Sequence, residues 1–134
     1  MPLDGRQLTY KQALALCYRV GWRGRDLTRA VAVMCAESAR YTGAYNVNTN
    51  GTVDRGLFQI NSVHANVSDT TAFDPLSNAE FAHELWTHQG FRPWYAFVNK
   101  NHLKFIPLVL AARLLKWHHL VPDIEYRIRE GGAK

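Results

Sequence analysis

Between Tyr45 and Phe58 the chain abandons the helical spacing that governs the sequence on both sides of it. Asn50-Gly51 sits at the centre of this stretch, and that pair marks a two-residue hairpin turn, whose type I′ geometry needs φ > 0 at both positions. Two short strands follow from it, at 46–49 and 52–57, with Asp54 on the second. Upstream, Thr9-Tyr10-Lys11-Gln12 has capping-box form and opens a helix from Tyr10 to Val20, broken by Gly21-Trp22-Arg23-Gly24. Asp26 is read as the cap of a second helix running to about Ser38, with Leu27, Ala30, Val31, Met34 and Cys35 as its buried stripe. Downstream, Ser77-Asn78-Ala79-Glu80 reads as another capping box, for a helix ending near Gly90. An apolar helix over 103–118 and a short closing helix over 123–129 complete the pattern. The expectation is an α+β fold, mostly helical, with one small β-hairpin inserted between helices two and three.

A chain of 134 residues has room for one hydrophobic core, so residues 1–134 are read as a single domain. The formal charge of +5 favours an anionic partner: nucleic acid, a membrane surface or a bacterial envelope. No nucleic-acid motif accompanies the charge, so that partner is set aside. The longest apolar run, 105–112, contains Pro107 and falls far short of the ~20 residues that cross a bilayer. No membrane insertion is expected; the basic, apolar 103–118 segment is read as core rather than as a membrane-surface helix. The N-terminus carries no apolar signal-peptide core. Cys17 and Cys35 fall on two neighbouring predicted helices, which leaves either one disulfide or two buried thiols open. In His83-Glu84-Leu85-Trp86-Thr87-His88 the histidines are five apart, not four, and at ~100° per residue they diverge, so no zinc site is read. No metal or cofactor is implied.

Two carboxylates have contrasting neighbourhoods. Glu37 follows Val31-Ala32-Val33-Met34-Cys35-Ala36 at the end of an apolar helix, where burial would hold its proton. Asp54 lies among Asn46, Asn48, Thr49, Asn50 and Thr52, all hydrogen-bond donors that would keep it ionised. Cleaving a glycosidic bond asks for this pairing: one acid to protonate the leaving oxygen, one carboxylate to meet the cationic sugar or activate water.

Glu37-Ser38, residues 46–54 and Gly56-Leu57-Phe58-Gln59-Ile60-Asn61-Ser62 together resemble the active-site block of animal-type lysozymes, with the Glu37-to-Asp54 gap unchanged. The same block, with the preceding Ala30-Val31-Ala32-Val33, is similar to soluble lytic transglycosylase domains of bacteria and phages. Pro93-Trp94-Tyr95-Ala96-Phe97 resembles the segment whose tryptophan walls the pocket around the catalytic glutamate. Asp74-Pro75 through Ala79 resembles a helix start of the phage branch. The resemblance covers 8–98 and leaves 102–134 unmatched. It departs from the animal enzymes in having two cysteines and, after Gln59-Ile60-Asn61-Ser62, Val63-His64-Ala65 where they carry tryptophans. Both departures favour the bacterial and phage branch; Tyr41, Tyr45 or Phe91 would then have to supply sugar stacking.

What the resemblance implies is a lysozyme-like enzyme that cuts the β-1,4 bond between N-acetylmuramic acid and N-acetylglucosamine in peptidoglycan. Glu37 would be the general acid and Asp54 the nucleophile or stabiliser. Gln59, Asn61, Asn48, Trp94 and Tyr45 would line the substrate site. Asp54 favours hydrolysis over the transglycosylase route, in which the sugar's own 6-hydroxyl attacks to give a 1,6-anhydro end. A non-catalytic wall-binding or virion module is the rival from another class. Ser38 is read as a support for the helix end, and Arg40 and Arg55 as solvated charges. A monomer acting on the bacterial wall is expected, as a phage lysin, a virion protein or one domain of a larger protein.

Overall fold

The computed structural model describes residues 5–129. Helix α1 (Tyr10–Val20) begins with the expected capping box: the Thr9 side chain accepts from the Gln12 N–H, and the Gln12 side chain accepts from the Thr9 N–H. Helix α2 (Gly24–Ser38) starts earlier than its sequence suggests. Arg23 holds the cap position, and Asp26 lies inside the first turn, 3.2 Å from Arg29. A carboxylate there still meets the positive end of the helix dipole, which is why the local pattern imitates a cap. Residues 30–35 of α2 are all buried, so this helix is the centre of the core rather than an amphipathic edge.

The sheet has three strands, not two. β1 (Tyr45–Val47), β2 (Val53–Arg55) and β3 (Ile60–Asn61) pair antiparallel in that order. Asp54 sits on the middle strand, opposite Asn46 on one side and Asn61 on the other. The connection between β1 and β2 is longer than a two-residue turn. Asn48 N–H bonds the Thr52 carbonyl at 2.8 Å, Gly51 N–H bonds the Asn48 carbonyl at 3.0 Å, and of the pair Asn50-Gly51 only Gly51 takes a positive φ. A glycine in the left-handed region closing a three-residue loop is the next commonest hairpin solution. The strands are correspondingly shorter than predicted.

A short helix, α3 (Asp69–Phe73), leads into α4 (Pro75–Gln89), whose cap is Asp74, not Ser77. The Asp74 carboxylate accepts from the Ser77 N–H at 2.9 Å, and Pro75 occupies a position where no donor is needed. Then come α5 (Tyr95–Val98), a 3-10 turn at Asn101–Phe105, α6 (Ile106–Arg113), a 3-10 turn at His118–Leu120 and α7 (Ile124–Arg129). The single helix expected over 103–118 is therefore broken. Pro107 can only enter a helix in its first turn, and Trp117 turns inward to the core. That segment is also less buried than expected: Val109 and Ala112 face the core, while Leu103, Leu108, Leu110, Leu114 and Leu115 are exposed. Cys17 and Cys35 are both buried free thiols. No helix among the described residues is long and apolar enough to cross a membrane.

Candidate active site

The last turn of α2 carries the chain out of the core, and Glu37 emerges there. Its backbone is firmly held. The Ser38 hydroxyl donates to the Met34 carbonyl at 3.1 Å and accepts from the Arg40 N–H at 3.2 Å, while Ala39 caps the helix at φ 52°. Arg40 is not a free surface charge: it bonds the Leu8 carbonyl at 3.0 Å and lies 4.0 Å over the Tyr10 ring. Holding the three residues that follow it, Ser38, Ala39 and Arg40, fixes the backbone from which Glu37 projects.

Glu37 lines a cleft of about 250 Å³ together with Asp54, Gln59, Asn61, His64 and Trp94; Ile60, Leu85, Pro93 and Tyr95 complete it. Burial pushes the Glu37 carboxyl above its ordinary value, the Ala96 N–H donating to Oε2 at 3.3 Å pulls it down, and the nearby negative charge of Asp54 raises it further. Trp94 forms part of the same wall. Its indole N–H donates to the Phe58 carbonyl at 2.9 Å, and the ring packs edge-on against Phe58 and tilted against Phe91. The tryptophan is thus locked by a hydrogen bond and two aromatic neighbours, leaving an apolar surface to the cleft.

Asp54 faces a different setting. Oδ1 accepts from the Asn61 amide at 2.8 Å and Oδ2 from the Asn48 amide at 3.3 Å. The same two amides also reach the Thr52 hydroxyl, each at 3.1 Å, and Asn46 donates to Asn48 Oδ1 at 3.1 Å. Asn61 is pinned in turn, its Oδ1 accepting from the Val63 N–H at 2.8 Å. These amide bonds fix the orientation of the Asp54 side chain toward the cleft.

Not every residue expected to line the cleft does so. Asn48 bonds Asp54 without lining the cleft itself, and Tyr45 sits exposed on the edge strand β1. Gln59 does line it, but its amide N–H₂ is spent on the Ala44 and Gly56 carbonyls at 3.0 and 2.9 Å, which leaves only the amide oxygen for a ligand. Of the aromatics proposed for stacking, Tyr41, Tyr45 and Phe91 are absent from the lining; Tyr95, 74% exposed at its rim, takes that position. His64, Leu85 and Tyr95 carry no local signal beyond the aromatic segment around Trp94, since α4 and the loop after β3 are brought to the cleft only by packing. Arg55, read as a solvated charge, is buried and braces β2 against β3 through the Ile60 and Asn61 carbonyls. The metal-like histidines diverge: His83 packs edge-on to Trp22 and His88 pairs with Glu84 on the surface.

No curated protein and no solved structure matches the chain. A family model described as a lysozyme-like domain matches residues 14–96. That span begins inside α1, ends inside α5, and holds α2, the whole sheet and every residue that lines the cleft. With the match extending over more than half of the chain, the protein belongs to the lysozyme-like domain family.

Proposed function

We propose that the domain hydrolyses the β-1,4 bond between N-acetylmuramic acid and N-acetylglucosamine in peptidoglycan, with Glu37 as general acid and Asp54 as the second acidic group of the site. One observation carries the reading: a carboxyl that burial makes harder to ionise and a second carboxyl oriented by two amides line a single cleft. In the reaction Glu37 gives its proton to the glycosidic oxygen as the C1–O bond breaks. Asp54 meets the positive charge that develops at C1, and water completes the cleavage, returning a proton to Glu37. Asn61 and Asn48 serve by orienting Asp54. Trp94 keeps Glu37 dry, and Tyr95 offers a face on which a sugar ring can stack. Two unbridged thiols, together with the Asp74-Pro75 start of α4, support an origin in the bacterial and phage branch, as a lysin or a wall-opening virion protein.

The test is mass spectrometry of purified peptidoglycan digested by the wild type, Glu37→Gln and Asp54→Asn. Reducing muramic ends from the wild type, lost in both variants, is the expected result. Anhydro ends that persist in Asp54→Asn would replace hydrolysis by a transglycosylase reaction resting on Glu37 alone. No cleavage by the wild type across several wall types would leave a non-catalytic wall-binding module.

A further inference from the structure

The helix α6, Ile-Pro-Leu-Val-Leu-Ala-Ala-Arg, is apolar around its whole circumference up to Arg113. Val109 and Ala112 turn inward, while Pro107, Leu108, Leu110 and Ala111 lie on its exposed side. The chain continues outward through Leu114, 89% exposed, and Leu115, and Leu103 adds a fifth exposed leucine from the preceding 3-10 turn. A helix apolar on every side is ordinarily covered, and a contiguous exposed apolar patch marks a surface that meets something.

Along the chain that carries this patch the charge has one sign. From Leu85 to Pro122 the chain carries no Asp or Glu but has Arg92, Lys100, Lys104, Arg113 and Lys116. Two hollows of about 420 and 340 Å³ flank Leu103, sharing Arg29 and His102, and no carboxylate lines either. Arg25 and Arg29 extend the basic rim from α2; Asp26, the nearest acid on that helix, is already engaged by Arg29 at 3.2 Å.

We propose that this face docks on an anionic phospholipid bilayer, with the leucines entering the headgroup region and the flanking cations meeting lipid phosphates. Protruding aliphatic side chains ringed by Lys and Arg are what an interfacial membrane contact requires. A second copy of the chain would set two basic rims against each other. A protein partner would be marked by aromatic anchors, and the exposed patch on and beside α6 is built of leucine, a residue under-represented among interface hot spots. With eight residues, α6 lies on a bilayer and cannot span it. None of the five leucines lines the cleft, so this contact stands apart from the proposed cleavage.

The experiment is co-sedimentation of the full chain with vesicles of phosphatidylglycerol and phosphatidylcholine, against phosphatidylcholine alone. Binding to the anionic vesicles only, weakened by salt, is expected. The pairs Leu110→Gln with Leu114→Gln and Lys104→Gln with Lys116→Gln alter exposed side chains; each should lower partitioning at least about tenfold while circular dichroism and thermal unfolding stay as in the wild type. The proposal is overturned by absent binding, by equal binding to neutral vesicles, or by well-folded leucine variants that bind as the wild type does. A dimer in sedimentation velocity that the leucine substitutions dissolve, without vesicle binding, would assign the face to a second copy instead.

Discussion

Replacing Arg55 by Met should cost the fold about 3–5 kcal/mol, although the residue touches neither Glu37 nor the proposed substrate. Its side chain is 3% exposed and ties together two pieces of backbone, donating to the carbonyls of Ile60 and Asn61 in β3 at 3.1 and 3.3 Å and of Val67 at 2.9 Å. Its fourth partner, Asp69 at 3.0 Å, is 82% exposed. A hydrogen bond to a charged donor contributes about 1.5–3 kcal/mol, and each carbonyl left buried without a partner costs about 1–3 kcal/mol. Partial relaxation and water entry keep the total below the simple sum. The exposed ion pair adds at most about 1 kcal/mol. Asp69→Ala should therefore be nearly silent while Arg55→Met removes a large part of the ~5–15 kcal/mol that a domain of this size possesses. Urea unfolding of the wild type and both variants, with unchanged slopes, measures this directly. A loss below about 1 kcal/mol for Arg55→Met, or an equal loss for Asp69→Ala, would refute the assignment of its energy to the carbonyl bonds.

The raised Glu37 carboxyl makes a signed prediction about pH. The folded state holds this proton more tightly than the unfolded chain, so the stability it contributes is present below the ordinary value of 4.5 and is lost as pH rises through the raised one. Glu37→Gln should accordingly raise Tm at pH 7, with the gain closing below about pH 4 in a pH series of thermal melts. Under the proposed mechanism the alkaline limb of kcat/KM reports the same proton; Trp94→Phe, which thins the apolar wall and removes the bond to Phe58, should move that limb toward lower pH, and an unmoved limb would deny the wall its role. Gly56→Ala and Gly51→Ala both replace glycines at positive φ, of 75° and 86°. A Cβ at Gly56 would meet Asn78 Nδ2 at 2.5 Å and the Ala72 carbonyl closer still, whereas nothing lies within 4 Å of one at Gly51. Denaturant titration should show about 1 kcal/mol lost at Gly51 and several at Gly56.

Local chemistry in the sequence was enough for α1, whose reciprocal cap needs only Thr9 and Gln12, and for the contrast between Glu37 and Asp54. Both carboxylates have their character written by near neighbours: an apolar helix behind one, a cluster of amides beside the other. The aromatic segment at Trp94 was legible for the same reason. Element ends were less so. Asp26 and Ser77 imitate caps because acids and hydroxyls suit any first turn, and the true starts, at Arg23 and Asp74, depend on where the preceding chain is held.

Tertiary structure decided what no window of sequence contains. Strand β3 has only two residues and exists because Arg55 and the β2 ladder capture it. Arg55 is a buried clamp rather than a surface charge because three carbonyls, two from β3 and one from Val67 in the loop beyond it, converge on it, a fact of packing with no sequence period. That the Asn61 and Asn48 amides hold the two oxygens of Asp54 is likewise a fact of the folded sheet, which brings residues from β3 and the hairpin loop to one side chain. His64, Leu85 and Tyr95 reach the cleft from three different elements. The leucines of α6 show the converse: composition says they are apolar, and only the folded surface reveals that they are left uncovered, because a helix that must bury Val109 and Ala112 cannot also bury its opposite side.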